Sequence, residues 1–231
     1  MIISPASFNL QSAINACPAG GTVTIPAGSY GPIVIPRAMT LYANAGVVIQ
    51  GGTQTVQINA SNVTLSGSAR VTGASNTGIY CWGSYSGITV SGWTADHCGD
   101  FGIVMYGVSN ITIQDFVGHD FGSNSYPPHA IYLRNCETAL IQRCEGYNVG
   151  YVPYGSGGVD LASSHNVVMT DCYMHDNQGA DDYGFIAEGS TTVTFANCRG
   201  ANNSVADFYQ CALGSGSATY VNCVGTKRVW G

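Results

Sequence analysis

From Gly21 onward, apolar and polar positions alternate with period two in short runs, and the same run recurs along the chain. SNVTLSG (61–67), SGITVSG (86–92), SNITIQD (109–115), ETALIQR (137–143), HNVVMTD (165–171), TTVTFAN (191–197) and SATYVN (217–222) share one register. Each follows a second short strand, VQI, GIYCW, GIVMY, AIYLR, GVDLA, GFIAE or DFYQC, with periods of 21 to 28 residues. Short strands at a repeating period, separated by Gly, Asn and Ser turns with no helix between them, predict a parallel β-helix rather than a propeller or sandwich. In this register Ile79, Ile103, Ile131, Val159, Phe185 and Phe208 stack as one inward column. Ile88, Ile111, Ala139, Val167, Val193 and Ala218 form a second, and Trp93, Phe116, Cys144, Cys172, Cys198 and Cys223 a third.

The segment 4–17, SPASFNLQSAINAC, breaks this pattern. Leu10, Ala13, Ile14 and Cys17 recur at helical spacing with Ser7 as N-cap, which predicts one helix closing the first coil. The fold class is therefore all-β: a single-stranded parallel solenoid with an N-terminal capping helix. Residues 1–21 form the cap and 22–231 the β-helix, together one domain.

Composition narrows the function. Only 9 % of the 231 residues are charged and the net charge is −6, so seven Lys and Arg residues cannot form a phosphate-tracking stripe, and no nucleic acid partner is expected. No apolar run approaches the ~20 residues of a membrane span, so no membrane partner is expected either. MIISPASFNL lacks the basic start and apolar length of a secretory signal. Compartment therefore stays unknown, and extracellular or virion-associated use is compatible with the chain. Nine cysteines, an odd number without C-x-x-C pairs, fit buried thiols better than a disulfide framework. The closing GTKRVWG carries no capping element, so a homo-oligomer contact through that end, with Trp230 in it, is an expectation.

If the Ile79 column points inward, its neighbours point out. One outward column is Tyr80, Val104, Tyr132, Asp160, Ile186 and Tyr209; the next is Trp82, Tyr106, Arg134, Ala162, Glu188 and Cys211. Aromatic and charged side chains on one face suit a polysaccharide, whose rings pack on aromatic planes while hydroxyls meet polar groups. Loops lengthen beside this face, in GHDFGSNSYPPH, NVGYVPYGSGG and DNQGADDYG, where they would wall a cleft. His129, after Tyr126-Pro127-Pro128, is the candidate for proton transfer. Arg134 could neutralise a uronate carboxylate, Tyr132 or Tyr106 could pass a proton, and Asp160 could orient His129 or Arg134. Catalytic candidates are thus His129, Tyr132, Arg134 and Asp160. Substrate-binding candidates are Tyr80, Trp82, Tyr106, Tyr126, Tyr154, Asp182, Glu188 and Tyr209. No dedicated metal site is expected, although Asp181 and Asp182 are the candidate ligands for Ca²⁺.

The opening LQSAIN…AGGTVTIPAGSYG and the coils of form GI-x-L…N-x-T-I resemble the right-handed parallel β-helix, or pectin-lyase-like, superfamily across nearly the whole chain. That resemblance implies the fold, with polysaccharide lyases, hydrolases, epimerases and phage tailspikes among its members. The run Tyr154–Glu188, with its HDN turn and GFIAE strand, resembles the alginate C5-epimerase catalytic module. That family's Asp-Pro-His-Glu motif is absent, and Pro127-Pro128-His129-Ala130 is the closest string. Asp160 followed by Asp181-Asp182 is similar to the acid spacing of polygalacturonase-type hydrolases, without their other motifs. The leading expectation is C5 proton abstraction from a uronate-containing polysaccharide, as lyase or epimerase. The alternatives are a hydrolase using Asp160 with Asp182 or Glu188, and a non-catalytic glycan-binding or structural module of tailspike or adhesin type.

Overall fold

A computed structural model describes residues 8–122, 126–150, 156–179, 181–211 and 218–230. Short strands stack in parallel into two long sheets with the core between them. The sheet that matters for function runs in coil order. Its strands are Ile33–Ile35, Gln54–Ile58, Thr77–Trp82, Phe101–Tyr106, His129–Arg134, Gly157–Ala162, Tyr183–Glu188, Ala206–Cys211 and Lys227–Trp230. Pairing is in register: Ile79 lies beside Ile103, Ile103 beside Ile131, then Val159, Phe185 and Phe208. The Ile88–Ala218 column pairs equally well on the other sheet. Both predicted columns are therefore core.

Like sits on like because coils repeat about every 4.8 Å. The Phe185 and Phe208 rings stack with centroids 4.8 Å apart and planes 4° off parallel. Coil corners turn through left-handed backbone at recurring positions such as Asp115, Arg143, Asp171, Asn197 and Asn222. Asn and Asp tolerate that conformation better than other non-glycine residues, which explains their frequency here.

The cysteine column is a core column of free thiols. Cys144, Cys172 and Cys198 are buried, and all nine cysteines are unpaired. The thiols of Cys144, Cys172, Cys198 and Cys223 lie within bonding range of carbonyls in their own coil and the one before; Cys144 Sγ lies 3.3 Å from the Gln142 oxygen and 3.6 Å from that of Ile113. Burial raises the Cys98 thiol to about 11, so such a sulfur is packing material rather than a nucleophile.

The helix is shorter than the sequence suggests. It spans Leu10–Ala16, and its N-cap is Asn9, whose side chain accepts from the Ser12 amide at 2.8 Å. Asn supplies the same acceptor as Ser two residues later; Ser7 lies outside the described residues. Gln11 completes the cap. Its amide bonds both backbone groups of Val34, at 2.8 and 3.0 Å, and stands in for the missing neighbour of the Ile33–Ile35 strand.

Replacing Phe185 by Ala removes a fully buried ring from two stacked columns. We expect a loss of about 3–5 kcal/mol in urea unfolding. A loss under about 1 kcal/mol would mean the column packs loosely.

Candidate functional site

Two neighbouring depressions run along the outer face of the functional sheet and share Pro127, Asp160 and Glu188. The first, of about 430 Å³, is lined also by Phe101, Tyr126, His129, Tyr132 and Arg134. The second, of about 440 Å³, adds Asp181, Tyr183, Ile186 and Tyr209. Together they make a groove along the solenoid axis with Asp160 and Glu188 at its middle.

Strand pairing sets the order along this groove. Tyr132 sits beside Val104 and Asp160, and Asp160 beside Ile186. Arg134 sits beside Tyr106 and Ala162, and Ala162 beside Glu188. The predicted columns are thus correct. Tyr80, Trp82 and Tyr106 continue the face beyond the first depression. The Trp82 and Tyr106 rings lie 5.1 Å apart, Tyr80 meets Trp82 edge-on at 6.2 Å, and the Arg134 guanidinium lies over Tyr106 at 5.8 Å.

Strict alternation breaks at one place. Ala130 and Ile131 are both fully buried, so His129 and Tyr132 share the outer side. The equivalent positions on other coils are Gly78, Gly102, Gly158 and Gly184, all buried. At Gly158 a Cβ would stand 2.6 Å from the Met174 sulfur, so only the smallest residues fit this corner. One consequence is a third groove column, Phe101–His129–Gly157–Tyr183. Phe101 and Tyr183 were missed by the period-two reading for this reason; the run of Gly and Ala was the available signal.

His129 is a buried part of the groove wall. It is 4 % exposed and stacks with Tyr132 and Phe101, at centroid distances of 5.4 and 5.9 Å. Its Nδ1 lies 3.2 Å from the Gly157 carbonyl, which can only accept, so Nδ1 carries the proton. Nε2 then faces Asp160 Oδ2 at 3.6 Å, within ion-pair range but too long for a hydrogen bond. Burial holds the imidazole down at about 4, with the Gly157 bond opposing.

Asp160 is the most unusual group in the groove. It is 7 % exposed and its Oδ1 has no hydrogen-bond partner. Burial raises its carboxyl well above the ordinary range; the Glu188 charge adds to this and Arg134 opposes it. Tyr132 is likewise raised, by burial first and then by Asp160, with Arg134 opposing.

Asp182 does not belong to the groove. It is fully buried, and its carboxylate accepts from the Ser156 hydroxyl and the Gly179 amide, fastening the loop. Exposed Asp181 lines the groove instead. The Asp182 carboxylate is thus taken up by the loop while Asp181 faces the groove, and no group of three His, Cys, Asp or Glu side chains that could hold a metal occurs among the described residues. Tyr154 lies outside the described residues. His119 and His175 stack on either side of Tyr147, at 4.8 and 5.2 Å.

These shifts have opposite signs in stability. Between pH 6.5 and about 4 the unfolded chain takes up a proton that folded His129 refuses, so stability falls as pH falls. Asp160, raised in the fold, works the other way: the folded state keeps a proton that the unfolded chain loses, so stability falls as pH rises. Asp160→Asn removes the opposing Asp160 slope and leaves that of His129 in place. We expect that variant to gain up to about 3 kcal/mol between pH 4 and 6.5, and to gain on wild type as pH rises. A flat profile in urea titrations would refute the buried neutral imidazole.

Comparison with known proteins agrees with this architecture. A family model described as "Right handed beta helix region" matches residues 116–226. A search of curated proteins finds no sequence match. Among solved structures, a pectin methylesterase in complex with a hexasaccharide superposes with TM-score 0.62 at 13 % identity, covering 85 % of this chain and 75 % of that one. Pectate lyase Pel9A gives 0.54 at 13 % identity, covering 93 % and 72 %. An Asp/Glu-to-Ala double mutant of the tailspike of E. coli bacteriophage HK620, in complex with a pentasaccharide, gives 0.55 at 16 % identity. That match covers 98 % of this chain and 48 % of the tailspike chain. The chain therefore has a right-handed parallel β-helix fold, as those solved structures do.

Proposed function

We propose that this protein is a carbohydrate-active β-helix that hydrolyses glycosidic bonds in a polysaccharide lying along the groove, with Asp160 as general acid and Glu188 as its carboxylate partner. The observation that carries the reading is the Asp160 carboxyl, buried at mid-groove with one oxygen unpartnered. A carboxylic acid whose proton is retained by burial, next to a second carboxyl in a more open position, is the arrangement that glycoside hydrolysis needs. Register puts the two residues one coil and two positions apart, about 8 Å between Cα atoms from strand spacing and rise. Asp160 gives its proton to the glycosidic oxygen as the bond to the anomeric carbon breaks. Water adds to that carbon and Glu188 takes the water's proton. Neutral His129 supports the acid, because an imidazolium at 3.6 Å would favour the carboxylate. The aromatic shelf, and structural neighbours named as acting on pectin or seen with bound oligosaccharides, support a sugar polymer as the substrate.

Proton abstraction at C5, by lyase or epimerase chemistry, is the second reading. It is favoured by Arg134 beside the Tyr132 phenol, where a uronate carboxylate could be neutralised. The base is the weak point: burial raises Tyr132, and His129 turns its free nitrogen toward Asp160.

We expect Asp160→Asn and Glu188→Gln each to lower kcat by about 10²–10⁴-fold, with binding retained. Activity should fall as pH rises through the raised Asp160 value. Reducing-end release checks this. An absorbance rise from unsaturated uronate would replace hydrolysis by elimination, and binding without any product would indicate a binding module.

A further inference from the structure

The groove is electrically lopsided, and the asymmetry is aligned with its axis. Arg134 is the one cation among the described residues lining the two depressions, and it sits on the N-terminal side of Asp160. It forms no ion pair among the described residues, whose arginine pairs are Arg70–Asp96 and Arg143–Asp115. Beyond it lie Tyr106 and the 60 % exposed Trp82, a ring platform with no charge of its own. On the C-terminal side the lining changes sign. Glu188, which lines both depressions, lies one coil past Asp160, and Asp181 lines the second alone, beside Tyr183 and Tyr209, whose rings stack at 4.5 Å. The buried, unpartnered Asp160 oxygen marks the junction.

Arg134 and Glu188 lie two coils apart, about 10 Å along the axis, so sugars on the two sides of a linkage held at Asp160 would meet opposite fields. A carboxylate on the first sugar gains a charge-assisted bond from a guanidinium that bonds the Tyr132 hydroxyl but has no carboxylate in ion-pair range among the described residues. A carboxylate on the second would meet two acids of like sign in a partly desolvated groove. We infer that the groove selects an acidic heteropolysaccharide, with a carboxylate-bearing sugar on the Arg134 side of the bound linkage and an uncharged sugar on the Asp181 side. This rests on the hydrolytic reading for which linkage is cut, but the charge map can be tested without turnover. Neutral chains leave Arg134 unused, and a homopolyuronide places a carboxylate against Glu188 and Asp181.

The test uses three hexasaccharides: galacturonate only, galactose only, and alternating glucuronate and N-acetylglucosamine. Affinities are measured by calorimetry on Asp160→Asn, and repeated as competition on wild-type protein in the cold in case that variant folds poorly. The alternating chain should bind about 10-fold more tightly than either homopolymer. Arg134→Gln should reduce it to the level of the galactose chain. Asp181→Asn should raise affinity for the galacturonate chain by about 10-fold. The inference is overturned if the galacturonate chain binds as well as the alternating one, if Arg134→Gln keeps the preference, or if no chain binds. Reducing-end release separates the two readings. Preferential binding without cleavage sinks the hydrolase and leaves the charge map standing; cleavage without preference does the reverse.

Discussion

Parallel stacking at about 4.8 Å sets every side chain directly on its counterpart one coil away. Inside, this rewards columns of one kind, and the aliphatic, phenylalanine and cysteine columns follow from it. Outside, the same contact makes stacked charges of one sign costly. The functional face obeys that restriction. Asp160 has Tyr132 and Ile186 as its lateral neighbours, and Ala162 separates Arg134 from Glu188. The acids and Arg134 therefore meet one another only on diagonals, close enough to influence one another and far enough to coexist. This spacing leaves Asp160 without a counter-ion in bonding contact, so burial dominates its protonation.

The groove also depends on residues that carry no chemistry. The column Gly78–Gly102–Ala130–Gly158–Gly184 turns inward where a larger side chain would collide, so residues one and two positions away both reach the outer side. His129 enters the site through that break in alternation, at the cost of solvation. Buried in a three-ring cluster with Phe101 and Tyr132, it stays neutral and faces the carboxyl it would otherwise ionise. Asp182 shows the converse. One position from the groove wall, its carboxylate is taken up by Ser156 and Gly179 and fixes the loop that carries Asp181. Two adjacent acids thus have a structural and a solvent-facing role.

By itself the sequence determined the solenoid, its register, the three core columns and the order of Tyr132, Arg134, Asp160 and Glu188 on one face. It could do so because a period-two strand repeated at near-constant length leaves one alignment that buries every apolar column. The cap was legible in kind, but its N-terminus was shifted from Ser7 to Asn9, since either side chain can satisfy the same amides. Only the tertiary structure decided which acids face the groove, where His129 points, and that Phe101 and Tyr183 join the site. Those outcomes turn on a corner that admits nothing larger than Ala and on which loop amide reaches which carboxylate. Contacts between coils set both, and spacing along the chain does not encode them.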